Sequence, residues 1–195
     1  ACMLYVYSNL TLGNAKASGR GLEIIRECLR KEMEAPTSER NTAYCVFAGY
    51  MGTVLLQLST EKLPDMKKYM SSLPQGLRIF AANVISHDLY LKGEYSRALG
   101  ICDAALFSCK EIYPVGMIYL YCVTAMCEIS LKNQAEAEKA ILTAWKLAVK
   151  DELIEPFIEL HGLLQGLLES CIRKENPEMY RNCLLYTSPS PRDLS

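Results

Sequence analysis

Gly93-Glu94-Tyr95-Ser96-Arg97-Ala98, running on to Ala105-Leu106, is answered further along by Asn133-Gln134-Ala135-Glu136-Ala137, running on to Ala144-Trp145. Ala98 and Ala137 stand 39 residues apart, and so do Ala105 and Ala144. A fixed offset of roughly 20–50 residues marks stacked repeats, each a small unit that buries its apolar face only against its neighbours. The alanines have a physical role in such a unit. Two helices approach closely only where little more than a Cβ stands between them.

Outward from this pair, nearly the whole chain reads as helix, because apolar residues recur every three or four positions and hairpin-turn signals are missing. Gly21 to about Met33 sets Leu22, Ile25, Leu29 and Met33 on one face. Ala35–Glu39 reads as a loop, with Thr37 or Ser38 capping a helix through about Leu58. Pro64 suits the first turn of a short helix through Tyr69, and Ser71–Gly76 is the next break. Leu77–Lys92 is a helix closed by Gly93. Tyr95 to about Lys110 follows, striped by Tyr95, Ala98, Leu99, Cys102, Leu106 and Cys109. Pro114 opens a helix through about Leu131. Ala135–Lys150 answers it with Ala137, Ala140, Ile141, Ala144, Trp145 and Ala148 on one stripe. Pro156 opens a last long helix carrying Phe157, Leu160, His161, Leu164, Leu167, Leu168 and Cys171, and Pro177 ends it.

Half of the 195 residues are hydrophobic, enough for a sizeable core, and the formal net charge is −1. With lysine plus arginine (21) nearly cancelling aspartate plus glutamate (22) and no basic run, direct nucleic-acid contact by this segment is not expected. The longest apolar stretch, Tyr44–Leu58, is too short to span a membrane and carries two glycines and a glutamine. The nine cysteines are scattered, without a Cys-x-x-Cys pair. They read as buried free thiols in a reducing cytoplasm, not as a disulfide framework or zinc site. The start, Ala-Cys-Met-Leu-Tyr, has neither an initiator methionine nor a charged leader, which reads as the interior of a longer protein.

No catalytic constellation emerges. His87 stands beside Asp88 and His161 follows Glu159, but helix neighbours one or two positions apart do not face each other. A packed or capped histidine is the expectation for His161. Phosphate-loop, nucleophile-elbow and His-Glu-x-x-His motifs are missing from the sequence. The chain is therefore expected not to be an enzyme, and to need no cofactor and no metal. Trp145 reads as core. The tyrosines Tyr113, Tyr119 and Tyr121 read either as partner anchors or as inter-helix packing.

The repeat resembles the tetratricopeptide family, with a glycine before the second helix, an aromatic two positions on, and two alanines seven apart: Gly93, Tyr95, Ala98 and Ala105. In the second copy Ala137 and Ala144 match, Lys132 stands in the glycine position and the aromatic is missing. The family period is about 34 residues, so the longer offset is closer to the looser helical repeats of large bacterial transcription activators. Ala144-Trp145-Lys146-Leu147-Ala148, Asp151, Ile154-Glu155-Pro156-Phe157-Ile158-Glu159 and His161-Gly162-Leu163-Leu164 resemble the end of the helical-repeat region of LuxR-type regulators. This second resemblance covers roughly residues 77–180; residues 1–76 match only in being helical.

The resemblance implies an all-α, right-handed superhelix of about four stacked antiparallel helix pairs, a tetratricopeptide-like α-solenoid. It divides the chain into divergent N-terminal repeats (1–76), tetratricopeptide-like repeats (77–183) and a tail (184–195). It implies an effector-sensing or protein-interaction module whose DNA-binding helix-turn-helix belongs to the parent protein; the alternative is a stand-alone scaffold that binds a peptide or partner protein. Carried over, the first helix of each pair lines a concave groove with Phe80, Asn83, His87 and Tyr90, then Tyr119, Cys122 and Met126. Asn, His and Tyr among apolar neighbours suit a peptide, a partner protein or a small organic effector; the competing reading is ordinary inter-repeat packing. Exposed repeat ends imply self-association. Tyr186–Ser195, aperiodic with two Ser-Pro steps, reads by composition as a linker. It also resembles translated sequencing-adapter read-through, which implies a gene product cut near Leu184 and a tail without biology.

Overall fold

The computed structural model describes residues 2–109, 113–178 and 180–181. The tail readings, Cys183 and the expected end of a helix at Lys110 lie outside them. Among the described residues all regular structure is helical. The helices are α1 (Cys2–Thr11), α2 (Ala15–Glu34), α3 (Glu39–Leu55), α4 (Gln75–Leu91), α5 (Tyr95–Ser108), α6 (Pro114–Ser130), α7 (Gln134–Ala148), α8 (Glu155–Leu160) and α9 (Arg173–Glu175). Two compact units divide at Asp88 and Leu89, inside α4, whereas the sequence reading divides the chain after Gly76.

Four helices end in the same way. At the end of α1, Gly13 takes φ 71, its N–H donates to the Leu10 carbonyl, and the Asn14 N–H donates to the Asn9 carbonyl. Gly93 (φ 76) and Glu94 repeat this after α4, donating to Tyr90 and Leu89. Lys132 (φ 66) and Asn133 repeat it after α6, donating to Ile129 and Glu128. Gln57 (φ 52) and Leu58 do so after α3, donating to Val54 and Thr53. A left-handed residue flanked by these two bonds satisfies carbonyls that the helix end would leave open.

After three of these stops the chain re-enters a helix at once, as α2, α5 and α7. Five residues past the left-handed position stand Ser18, Ala98 and Ala137, each with no exposure. Four further on stand Leu22, Cys102 and Ile141, exposed by 1% or less. The Gly93–Ala98 hairpin motif thus has a third copy in α1–α2, inside the segment read from the sequence as divergent N-terminal repeats. The signal was hidden because serine holds the alanine slot; Ser18 Oγ donates to the Val6 carbonyl at 3.0 Å, so the small polar side chain is satisfied when buried.

In the first unit α2 is wedged closely between its neighbours. A Cβ at Gly21 would lie 2.8 Å from Val6 Cγ2 and 2.9 Å from Tyr5 Cδ1. On the other side, a Cβ at Gly52 would lie 3.1 Å from Leu22 Cδ1, and one at Gly49 would lie 3.3 Å from Leu29 Cδ2. Ser38, one of the two expected caps, accepts from the Asn41 N–H and starts α3. Pro64 does not open the next element. Asp65 caps a 3₁₀ turn over Met66–Ser72 instead, because its carboxylate accepts from the Lys67 N–H.

In the second unit the core gathers Ile118, Cys122, Met126, Ile141, Trp145, Phe157, Leu164 and Ile172. All six stripe residues of α7, from Ala137 to Ala148, are buried, as the period requires. Trp145 meets Phe157 edge-on at 5.2 Å between ring centres. The long helix expected after Pro156 is broken. After α8 come a 3₁₀ turn at His161–Leu164, left-handed Gln165 (φ 49) and Gly166 (φ 85), a π turn at Leu168–Ile172, then α9. Two consecutive left-handed residues cannot sit inside a right-handed helix, so the apolar run folds back on the core in short pieces.

Candidate functional site

The seven candidate groove residues fall on both sides of the division in α4: Phe80, Asn83 and His87 in the first unit, Tyr90, Tyr119, Cys122 and Met126 in the second.

In the first unit α4 carries an unusual run of buried polar groups: Asn83, Ser86, His87 and Asp88. A buried polar group without a partner costs free energy, so each one asks for an account. Ser86 Oγ donates to the Asn83 carbonyl at 2.9 Å. Thr60, 2% exposed, donates its hydroxyl to Asp88 Oδ1 at 2.6 Å, tying the loop after α3 to this helix. Asn83 Oδ1 is buried and accepts no hydrogen bond from the protein. Burial holds the His87 imidazole down at about 4, with the neighbouring Asp88 charge pulling the other way. His87 is thus neutral near pH 7. Phe80 is half-buried.

In the second unit the four candidates surround one core. Cys122 and Met126 have no exposure and are part of that core, while Tyr90 and Tyr119 pack against it half-buried. Cys122 and Met126, expected on a groove, are enclosed in this core, where α6 packs against α7, α8 and the 3₁₀ turn after it. Tyr119 keeps a polar role, donating to Glu159 Oε2 at 2.7 Å. Burial pushes the Cys122 thiol far up, and the Glu159 carboxylate adds to it, so Cys122 stays protonated and a poor nucleophile. Burial also raises the Tyr90 phenol, against hydrogen bonding with Ser130 and Gln165.

The sequence reading missed one polar constellation. His161 Nε2 lies 2.8 Å from Glu169 Oε1, and Tyr180 Oη donates to the same oxygen at 3.3 Å. Glu159, the carboxylate nearer His161 in sequence, belongs to Tyr119 instead. Eight residues separate His161 from Glu169, and they meet because the chain between them is 3₁₀, left-handed and π in turn, not α. No helical period would have pointed to the pair. Glu169 is fixed by two donors and faces Gly166, so the arrangement locks the folded-back segment in place.

Among the described residues no group of three or more His, Cys, Asp or Glu side chains is placed to hold a metal ion. Among them, too, no helix is long and apolar enough to cross a membrane. No family model matches the chain, and neither a curated protein nor a solved structure matches it.

Proposed function

We propose that this chain is a helical-repeat module that senses an effector or holds a partner for a LuxR-type transcriptional regulator in a bacterial cytoplasm. The observation that carries the reading is the recurring hairpin: a helix stopped by a left-handed residue, an immediate restart, and a small buried residue five positions on. Repetition of one supersecondary unit is how α-solenoids, including right-handed tetratricopeptide-like superhelices, are assembled. Such repeats offer surfaces for binding instead of sites for bond making. The regulator reading rests on the resemblance of residues 144–164 to the end of the helical-repeat region of LuxR-type regulators.

Within this reading the first-unit residues are the ones to carry recognition. Phe80 supplies a half-exposed apolar face, on the same helix as an Asn83 side-chain oxygen that is buried without a hydrogen-bond donor. Contact with DNA belongs, on this proposal, to a helix-turn-helix elsewhere in the parent protein.

Sequencing the source locus across Leu184 tests it. A reading frame continuing into a helix-turn-helix is the expected result. A frame that stops, or that continues into further repeats, overturns the regulator reading and leaves a peptide-binding scaffold.

A further inference from the structure

One pair of thiols stands apart from the other cysteines and goes beyond the regulatory reading. Helices α2 and α3 run antiparallel from the loop that joins them. Near that loop Glu32 on α2 accepts from Thr42 Oγ1 on α3 at 3.1 Å, and also from the Thr37 N–H. Further from it, Leu29 faces Gly49, and Leu22 with Ile25 faces Gly52. Because the helices are antiparallel, one turn back along α2 from Glu32 and one turn forward along α3 from Thr42 are the same step along the interface. That step leads to Cys28 and Cys45. The glycines of α3 bring the two backbones close beyond it.

The electrostatics agree with the register. Burial pushes the Cys45 thiol up, and Glu32 and Cys28 push it further in the same direction, as neighbours across the helix contact do. Access differs between the two thiols. Cys28 is exposed and Cys45 half-buried. Elsewhere, Cys102, Cys122 and Cys127 are fully buried, and burial holds the Cys127 thiol up at about 12. Attack on a disulfide needs an accessible thiolate, so Cys28 is placed to react where those three are not.

We propose that Cys28 and Cys45 are a redox-responsive pair that closes into a disulfide joining α2 to α3 when the chain meets a small-molecule disulfide. Cys28 loses its proton and its thiolate attacks one sulfur of glutathione disulfide. The oxidant's S–S bond breaks and one glutathione leaves as thiolate. The Cys45 thiolate then attacks the Cys28 sulfur, forming the protein disulfide and expelling the second glutathione. Two cysteine thiols are oxidised, one glutathione disulfide is reduced to two thiols, and the two protein protons end on the departing glutathiones. Closure ties two helices across a single loop, so the denatured chain loses freedom and the unfolding midpoint rises.

The test is incubation of the full chain with glutathione disulfide at mildly alkaline pH, followed by alkylation of remaining thiols and peptide mapping by mass spectrometry. The expected product is a monomeric chain with Cys28 linked to Cys45, a higher urea midpoint, and reversal by dithiothreitol. The Cys45→Ser chain is expected to stop at a glutathione adduct on Cys28, and the Cys28→Ser chain to lose the link altogether. A lasting adduct on Cys28 in the native chain overturns the proposal. So does linkage of Cys28 to any other cysteine, or no reaction under conditions that oxidise an unfolded control.

Discussion

Acid should destabilise this protein before its carboxylates begin to titrate, and His87 is the reason. The imidazole is buried on α4, 8% exposed, and sits at about 4 in the folded chain against an ordinary value of 6.5. Above pH 6.5 the histidine is neutral in both states, so the full stability is present. As the pH falls from there, the unfolded chain takes up a proton that the folded chain refuses, and stability falls. Below about 4 both states are protonated and this contribution levels off. The gap between 6.5 and about 4, at about 1.36 kcal/mol per pH unit, is worth about 3 kcal/mol. That is a large share of the roughly 5–15 kcal/mol by which domains are stable. With a urea dependence of about 2 kcal/mol per molar, the midpoint should drop by about 1–2 M. The assay is urea unfolding followed by far-ultraviolet circular dichroism at steps from about pH 7.5 to about pH 4. The comparison is the His87→Leu chain, whose starting stability can differ but whose midpoint should be nearly flat down to about pH 4.5, where the glutamates begin to take up protons. The exposed carboxylates do not confuse the result. Glu27, held down to about 2 chiefly by its hydrogen bond with Arg30, and Glu32, lowered by the Thr37 N–H, both lose their contributions only below their ordinary 4.5. If the native and His87→Leu chains show the same slope between pH 6.5 and 4.5, His87 is not held neutral by burial and the reasoning fails.

Four further substitutions test the turns and the packing, each read as a shift in chemical or thermal unfolding. Gly93→Ala should cost about 1–2 kcal/mol, because Gly93 has φ 76 and a Cβ there meets nothing, leaving backbone strain as the only effect; Lys132→Gly, at φ 66 in the matching turn, should stabilise by about 0.5 kcal/mol. Equal effects of the same sign would show that the two turns are not equivalent. Gly21→Leu should destabilise by about 1–3 kcal/mol, since even a Cβ would press within 2.8 Å of Val6; a neutral result would mean α1 is loosely held. Trp145→Ala should cost about 3–5 kcal/mol, removing the ring that Phe157 meets edge-on in the second core, and a loss under about 1 kcal/mol would contradict that burial.

What the amino-acid order determined by itself was local. The 3.6-residue apolar period, Gly93 at a helix stop, Ser38 at a helix start and the buried alanines of α7 all act within a turn or two of themselves, and such signals are readable without a partner in view. The 39-residue recurrence was legible for the same reason. Its third copy was not, because Ser18 fits the alanine slot only once Val6 of another helix offers its carbonyl. Asn83 and His87 were placed in a groove by the tetratricopeptide resemblance; that they are buried polar groups on α4 is visible only in the folded chain. Whether Cys122 and Met126 face a ligand or a core was decided by α7 and the chain after α8, since exposure belongs to whatever packs against a face and not to the face itself. The meeting of His161, Glu169 and Tyr180 was decided only by tertiary structure. Two left-handed residues and a π turn redirect the chain there, and a backbone that leaves its helical period carries no periodic trace of where its side chains will meet.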